Sequence, residues 1–364
     1  MARVVVALSG GVDSAVAAAL LVEQGYEVVG IMMRLWSASE RPLENRCCSS
    51  EAVDDARRVS QLLDIPFYLV NYEREFRERV VDYFLAEYGQ GRTPNPCLAC
   101  NRHIKFDLLL KRALSLDAEY LATGHYCRVR YEAGRYHLLR GVDGLKDQSY
   151  MLHVLGQEQL AHVLFPLGDF TKEQVRALAA ERGLPVAEKA ESQDLCFVPT
   201  GDYRPFLRAS RPEALVPGAV VDVTGRELGR HEGLALYTIG QRHGLGSVTG
   251  GQRPAEAGSA DPLYVVGLDH VHNTVILGQG DALLRDHLIV REPTFVAGHP
   301  PVGRMRVSAK VRYRSPDTPA TVSMLQDGRV LVTFDQPQRA ITPGQAVVFY
   351  QGDEVLGGGL IALE

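Results

Sequence analysis

The chain has 364 residues, 46% of them hydrophobic and 23% charged, with a net charge of −5. That is ordinary globular composition with room for two or three domains. No apolar stretch reaches the roughly 20 residues of a membrane span, and Met1 leads straight into a strand-like run without the basic start of a signal peptide, so a cytoplasmic protein without a membrane partner is expected. The acidic balance excludes a uniformly basic nucleic-acid binder. Two local runs stand against it: residues 304–314 carry five basic side chains and no acid, and residues 102–112 carry four with one acid. Such runs are either solvated faces or phosphate-binding patches.

Strand and helix signals alternate over residues 1–165. VVVALSG reads as a strand, Ser14 to Gln24 as an alanine-rich helix stopped by Gly25, and YEVVGIMMRLW as a second strand. Glu51 to Leu63 reads as a helix closed before Pro66, FYLVNY as a third strand, Arg77 to Tyr88 and Ile104 to Leu116 as helices, and AEYLATGHY as a fourth strand. This alternation predicts an α/β fold with a parallel sheet. Over residues 166–282 the pattern changes to a small central domain. It begins with a helix from Thr171, its N-cap, to Arg182, stopped by Gly183. Over residues 283–364, β-branched runs (HLIVRE, RVSAKVRY, ATVSML, RVLVTF, QAVVFY) separated by Asp327-Gly328, Pro343-Gly344 and Gly357-Gly358-Gly359 predict an antiparallel β-barrel.

Residues 9–14, SGGVDS, join the first strand to the first helix. Glycines there expose backbone N–H groups, and a helix N-terminus adds positive potential, so the loop is an anion nest. It is neither a Walker A loop nor G-x-G-x-x-G. The hexapeptide resembles the PP-loop of N-type ATP pyrophosphatases, which cleave ATP between its α- and β-phosphates and adenylate a carbonyl oxygen. The loop alone leaves the acceptor open.

The six cysteines are Cys47, Cys48, Cys97, Cys100, Cys127 and Cys196. In a reducing compartment they are buried fillers, metal ligands or reactive thiols. Cys97 and Cys100 lie in TPNPCLACN, followed by a lysine and phenylalanine, and Cys196 lies in SQDLCF. Strand ends face the ligand crevice of a parallel sheet, so Gly124 and His125 in ATGHY should border the nucleotide.

Taken in order, SGGVDSA, TPNPCLACN, ATGHY, KDQSY, SQDLCF and YTIGQRHGLG, with RVRYR and TPGQAV in the barrel, resemble the tRNA-specific 2-thiouridylase family of the MnmA type over almost the whole chain. The resemblance implies a PP-loop domain, a central domain and a tRNA-binding barrel. It implies that ATP, with Mg²⁺, adenylates C2 of the wobble uridine, and that sulfur from a cysteine persulfide replaces the oxygen. Cys196 would carry the persulfide and Cys100 would be the second catalytic cysteine, either releasing sulfide by disulfide formation or assisting attack. The segment 185–200 is then expected to be a mobile loop, with Ser192 and Asp194 orienting it. Ala7, Leu8, Ser9, Gly10, Gly11, Val12, Asp13, Ser14, Met33 and Gly124 match ATP contacts. Asn95, Pro96 and Cys97 match the stretch that touches the base. His125, Lys146, Asp147, Gln148, Arg312, Tyr313 and Gln345 match tRNA contacts. Lysine, glutamate and glutamine tRNAs, a cysteine desulfurase or sulfur carrier, and a monomeric protein are implied.

Some members of that family have aspartate in place of Cys97. The cysteine leaves an acid/base role without a carrier and keeps metal binding open. Zinc would want four ligands, and only one C-x-x-C exists. An iron–sulfur cluster on Cys97, Cys100 and Cys196 is the alternative to the persulfide route. Cys47, Cys48 and Cys127 are read as structural. The competing functions are a PP-loop ligase acting on a small molecule, which leaves the cysteines and the basic barrel unexplained, and a tRNA-binding module with a relict loop.

Overall fold

The Val4-Val5-Val6 run has no exposed surface because it forms the middle strand of a parallel sheet. In this computed structural model, which describes residues 1–36, 49–190, 195–198, 201–245 and 262–362, strand Arg3–Leu8 pairs on one side with Glu27–Arg34, which in turn pairs with Phe67–Asn71. On the other side it pairs with Tyr120–Ala122, followed by the short Val163–Leu164. A strand covered on both faces and both edges must be apolar throughout. Cys47, Cys48, Ser192 and Asp194 lie outside the described residues.

The first helix, Val12–Glu23, is buried almost all round, which its alanines allow. One side lies on the sheet, and Val12, Val16 and Ala17 meet Val175 and Ala179 of helix Lys172–Glu181 on the other. Thr171 caps that later helix, its hydroxyl accepting from the Gln174 N–H, as its sequence predicts. The helix therefore packs on the phosphate-loop unit, although it follows residue 165.

Two helices begin earlier than their periodicity suggests. One spans residues 73–89. The other spans residues 96–114 and so takes Cys97 and Cys100 into its first turns. Its start is set by Asn95, whose side chain caps the Cys97 N–H at 3.1 Å, with Pro96 as the first helical residue. Proline fits there because that N–H has no intrahelical partner. Read linearly, the two prolines resemble a loop. Residues Asn101–Leu109 form wider π turns.

The hairpin Cys127–Glu132/Arg135–Arg140 leaves the parallel sheet. Its Leu138 and Leu139 pair with Val355 and Glu354 of the last strand, Glu354–Ala362. That strand also closes the C-terminal barrel by pairing with Leu284–Phe295. Between them lie Arg304–Lys310, Thr318–Met324, Val330–Arg339 and Ala346–Gln351, around a core that includes Val290, Val322, Val332, Val347, Phe349 and Ile361. The central unit is a four-stranded sheet of Gly218–Asp222, Glu227–His231, Tyr264–Asp269 and Thr274–Gly278. Among the described residues, no helix is long and apolar enough to cross a membrane.

Candidate functional site

The turn at Ser9-Gly10-Gly11 is built for close approach. Gly10 has φ +71°, and a Cβ there would meet the Ala52 carbonyl oxygen at 2.4 Å. Only glycine tolerates both demands. Ser14 closes the loop internally: its Oγ accepts from the Ser9 N–H at 3.1 Å and donates to the Gly11 carbonyl at 3.1 Å. Behind the loop lies Gly124, where a Cβ would come within 2.8 Å of the Asp13 carbonyl carbon. Ala7 and Leu8 end the strand feeding the loop, and Met33 is half-buried near the end of the neighbouring strand.

Asp13 does not project free into the loop. Its carboxylate accepts from the Tyr126 hydroxyl at 2.7 Å and from Lys172 Nζ at 2.7 and 2.9 Å. Tyr126 is held in turn by Gln148, whose side-chain oxygen accepts the Tyr126 N–H at 3.0 Å. Asp147 is 6% exposed and accepts from the N–H groups of Gly141 and Ser149 and from the Ser149 hydroxyl. Gln148 thus braces the Ser9–Ser14 loop through Tyr126, while Lys146 is half-buried nearby.

His125 is 9% exposed, with Nδ1 at 2.7 Å from the Thr123 hydroxyl and its ring between Phe106 and Phe165. Burial, with Lys105 nearby, holds its pKa well below the usual histidine value.

Cys97, Cys100 and Cys196 share one neighbourhood: Cys196 packs against the cluster that holds Cys100, and its charge acts on both other thiols. Cys97 is exposed on the first turn of its helix, and Cys100 is buried below it. Burial pushes the Cys100 thiol up to about 12; the charge of Cys196 acts in the same direction, and Lys105 opposes it. Lys105 stands five residues after Cys100, the spacing that a π turn brings onto one face. The Cys196 segment is anchored by Phe197, 3% exposed, which packs edge-on against Trp36, Phe76 and Phe84 and is tilted against Phe206. Leu195–Val198 is therefore seated through the Phe197 ring. Among the described residues, no three His, Cys, Asp or Glu side chains converge closely enough to hold a metal ion. Cys127 is wholly buried in the core and fits its structural reading.

The barrel residues singled out in the sequence lie at its junction with the rest of the chain. Gln345 donates its side-chain N–H to the Thr93 carbonyl at 2.8 Å. Exposed Arg312 donates to the Ala340 carbonyl, and Tyr313 packs toward Tyr150. Arg306 is engaged by Asp335 at 2.7 and 2.8 Å. Arg304 and Arg314 are exposed and have no ion pair among the described residues.

Three family models cover the chain: a tRNA methyl transferase HUP domain over residues 2–200, a tRNA methyl transferase PRC-barrel domain over 204–279 and an aminomethyltransferase beta-barrel domain over 285–361. A tRNA-specific 2-thiouridylase MnmA from Chloroflexus aggregans is 54% identical over 100% of this chain and 99% of its own length. One from Moorella thermoacetica is 53% identical over 98% of both. The chain belongs to the MnmA family of tRNA-specific 2-thiouridylases. Among solved structures, a 4-thiouridine synthetase–RNA complex with bound ATP is 17% identical over 58% of this chain and 51% of that one, at a TM-score of 0.36.

For an MnmA-family chain, the sequence reading passed over Lys172, Tyr126, Lys105 and Thr93. Lys172 carried a signal: it follows the Thr171 cap, where a cation opposes the helix dipole and an acid is preferred. A buried lysine at that position needs an anion, and Asp13 is that anion.

Proposed function

We propose that the protein is an ATP-dependent tRNA sulfurtransferase that makes 2-thiouridine at the wobble position. The observation that carries this reading is the gathering of Cys97, Cys100 and Cys196 from distant parts of the chain, on a unit that also presents the SGGVDS loop. The loop's backbone N–H groups suit the pyrophosphate of ATP. Mg²⁺ would be held mainly by the phosphates, because Asp13 is already paired with Lys172.

The uridine C2 oxygen attacks the α-phosphate of ATP and diphosphate leaves. The terminal sulfur of a Cys196 persulfide attacks C2, the C2–O bond breaks and AMP departs. The Cys100 thiolate then takes the Cys196 sulfur, breaking the persulfide S–S bond, freeing 2-thiouridine and leaving a Cys100–Cys196 disulfide for an external dithiol to reduce. In the variant order, Cys100 first releases hydrosulfide, which attacks C2. Both orders have the same balance and need Cys100 as a thiolate. A cysteine desulfurase or sulfur carrier would load Cys196. Lysine, glutamate and glutamine tRNAs are the proposed substrates of a monomeric, cytoplasmic enzyme. Asn95, Pro96 and Cys97 border the base, and Arg304 and Arg314 extend a cationic edge toward the phosphate backbone. Methyl transfer, named in two of the family models, has no use for an ATP-cleaving loop joined to a sulfur-exchanging pair.

The test is single-turnover thiolation of unmodified tRNA with ATP and a persulfide donor. One AMP per 2-thiouridine is expected from the wild type, and none of the modified base from Cys196→Ser, which should still bind tRNA. Thiolation without ATP cleavage would overturn the reading.

A further inference from the structure

Two motifs have no task in the chemistry above: YTIGQ at 237–241 in the central unit and TPGQ at 342–345 in the barrel. Both converge on Thr93, the residue that begins TPNPC. The barrel takes both backbone polar groups of Thr93. Its N–H donates to the Pro343 carbonyl at 2.8 Å, and its carbonyl accepts from Gln345 Nε2 at 2.8 Å. Its hydroxyl lies 3.4 Å from that of Thr238.

The approach is too close for side chains. Gly344 has φ +88°, and a Cβ there would come within 2.9 Å of the Thr93 nitrogen; Gly240 has φ +87°, and a Cβ there would reach Ala340 Cβ at 2.9 Å. Arg312 and the Thr342 hydroxyl both donate to the Ala340 carbonyl, which fixes the turn before Pro343. The residue before Thr93 is tied down as well. Arg92 and the barrel's Arg291 share the buried carboxylate of Glu87.

From Thr93 the chain runs through two prolines and the Asn95 cap into the helix bearing Cys97 and Cys100. Prolines fix φ, so little slack separates Thr93 from the thiols. We propose that Gln345, together with Thr238, is a positioning residue: it holds Thr93, and thereby sets the place of Cys100 relative to Cys196. This rests on the sulfur-transfer reading and assigns Gln345 a task other than the tRNA contact that the family resemblance implies.

The experiment compares Gln345→Ala, Gln345→Glu, Thr238→Val and Thr238→Ser with the wild type. It uses two readouts: thiolation kcat and KM for tRNA, and the rate at which diamide, by accepting two electrons and two protons, closes a Cys100–Cys196 disulfide, followed by peptide mass spectrometry. Positioning predicts that Gln345→Ala lowers kcat and disulfide closure by roughly tenfold to a hundredfold, the scale of a displacement of about 1 Å, with KM within about twofold. Gln345→Glu keeps the size but cannot donate to a carbonyl, so it should behave alike even if the alanine variant folds poorly. Thr238→Ser should restore what Thr238→Val loses. A raised KM with unchanged kcat and closure rate would assign Gln345 to the tRNA instead, and no change in either readout would overturn the proposal outright. If the wild type itself does not thiolate tRNA, the sulfur-transfer reading fails, and the disulfide rate still judges the clamp.

Discussion

Lys172 Nζ lies 2.7 and 2.9 Å from the two carboxylate oxygens of Asp13, joining the first turn of a late helix to the first turn of the first helix. The lysine side chain is 10% exposed and the aspartate 34%. Replacing Lys172 by methionine keeps the packing and leaves Asp13 to Tyr126 alone. The expected cost is about 1–3 kcal/mol, below the 3–5 of a fully buried pair because Asp13 remains partly solvated. ATP affinity should fall roughly tenfold, about 1.4 kcal/mol, as the loop loses its brace. Thermal unfolding and nucleotide titration check this; unchanged ATP affinity would remove Lys172 from the loop's support.

Gly10→Ala tests the loop itself. A methyl at φ +71° and 2.4 Å from the Ala52 carbonyl oxygen must push the second helix away. A strained left-handed residue alone costs on the order of 1–3 kcal/mol, and the displaced loop should no longer bind ATP. Gly134→Ala is the control, since it has φ +81° with open space around it. It should lose stability of the same order by strain while keeping ATP binding.

On the proposed mechanism, the reaction should quicken in alkali. Burial raises Cys100 to about 12 from the ordinary 9.0. A raised thiol pKa means a protonated, unreactive sulfur at neutral pH. Alkylation of Cys100 by iodoacetamide should therefore climb about tenfold per pH unit from 7 to 10, and exposed Cys97 should react faster. A plateau near pH 9 would show an unperturbed thiol. The linkage has the same sign: the folded state keeps this contribution below the unfolded value of 9.0 and loses it as pH rises through the raised value.

Phe197→Ala probes the seat of Cys196. The ring is 3% exposed among Trp36, Phe76, Phe84 and Phe206. Its loss should cost about 3–5 kcal/mol and slow Cys100–Cys196 disulfide closure while leaving ATP affinity unchanged. Equal closure rates in the variant and wild type would show that the seat does not govern the thiols.

Much of this was legible in the residues. Valine runs and glycine stops announced the parallel sheet, because a central strand must be apolar on both faces. SGGVDS announced a tight turn between strand and helix, because only glycine meets the backbone demands at position 10. The early start of the cysteine helix was hidden, since Pro94 and Pro96 read as loop until Asn95 is seen as a cap. The hairpin at 127–140 was hidden because pairing with residues 354 and 355 leaves no local trace. Lys172 with Asp13 and Gln345 with Thr93 were invisible for the same reason: each is a contact across more than 150 positions. Gln148 was marked as important, and its bond to the Tyr126 N–H was likewise hidden, because the two are 22 residues apart.

The most direct measurement is to purify the protein without oxygen, determine iron and acid-labile sulfide, and assay thiolation of unmodified tRNA with ATP and a persulfide donor. The account predicts an iron-free protein that forms 2-thiouridine and passes through a persulfide on Cys196. Activity that appears only with stoichiometric iron and sulfide would contradict it and make Cys97, Cys100 and Cys196 cluster ligands.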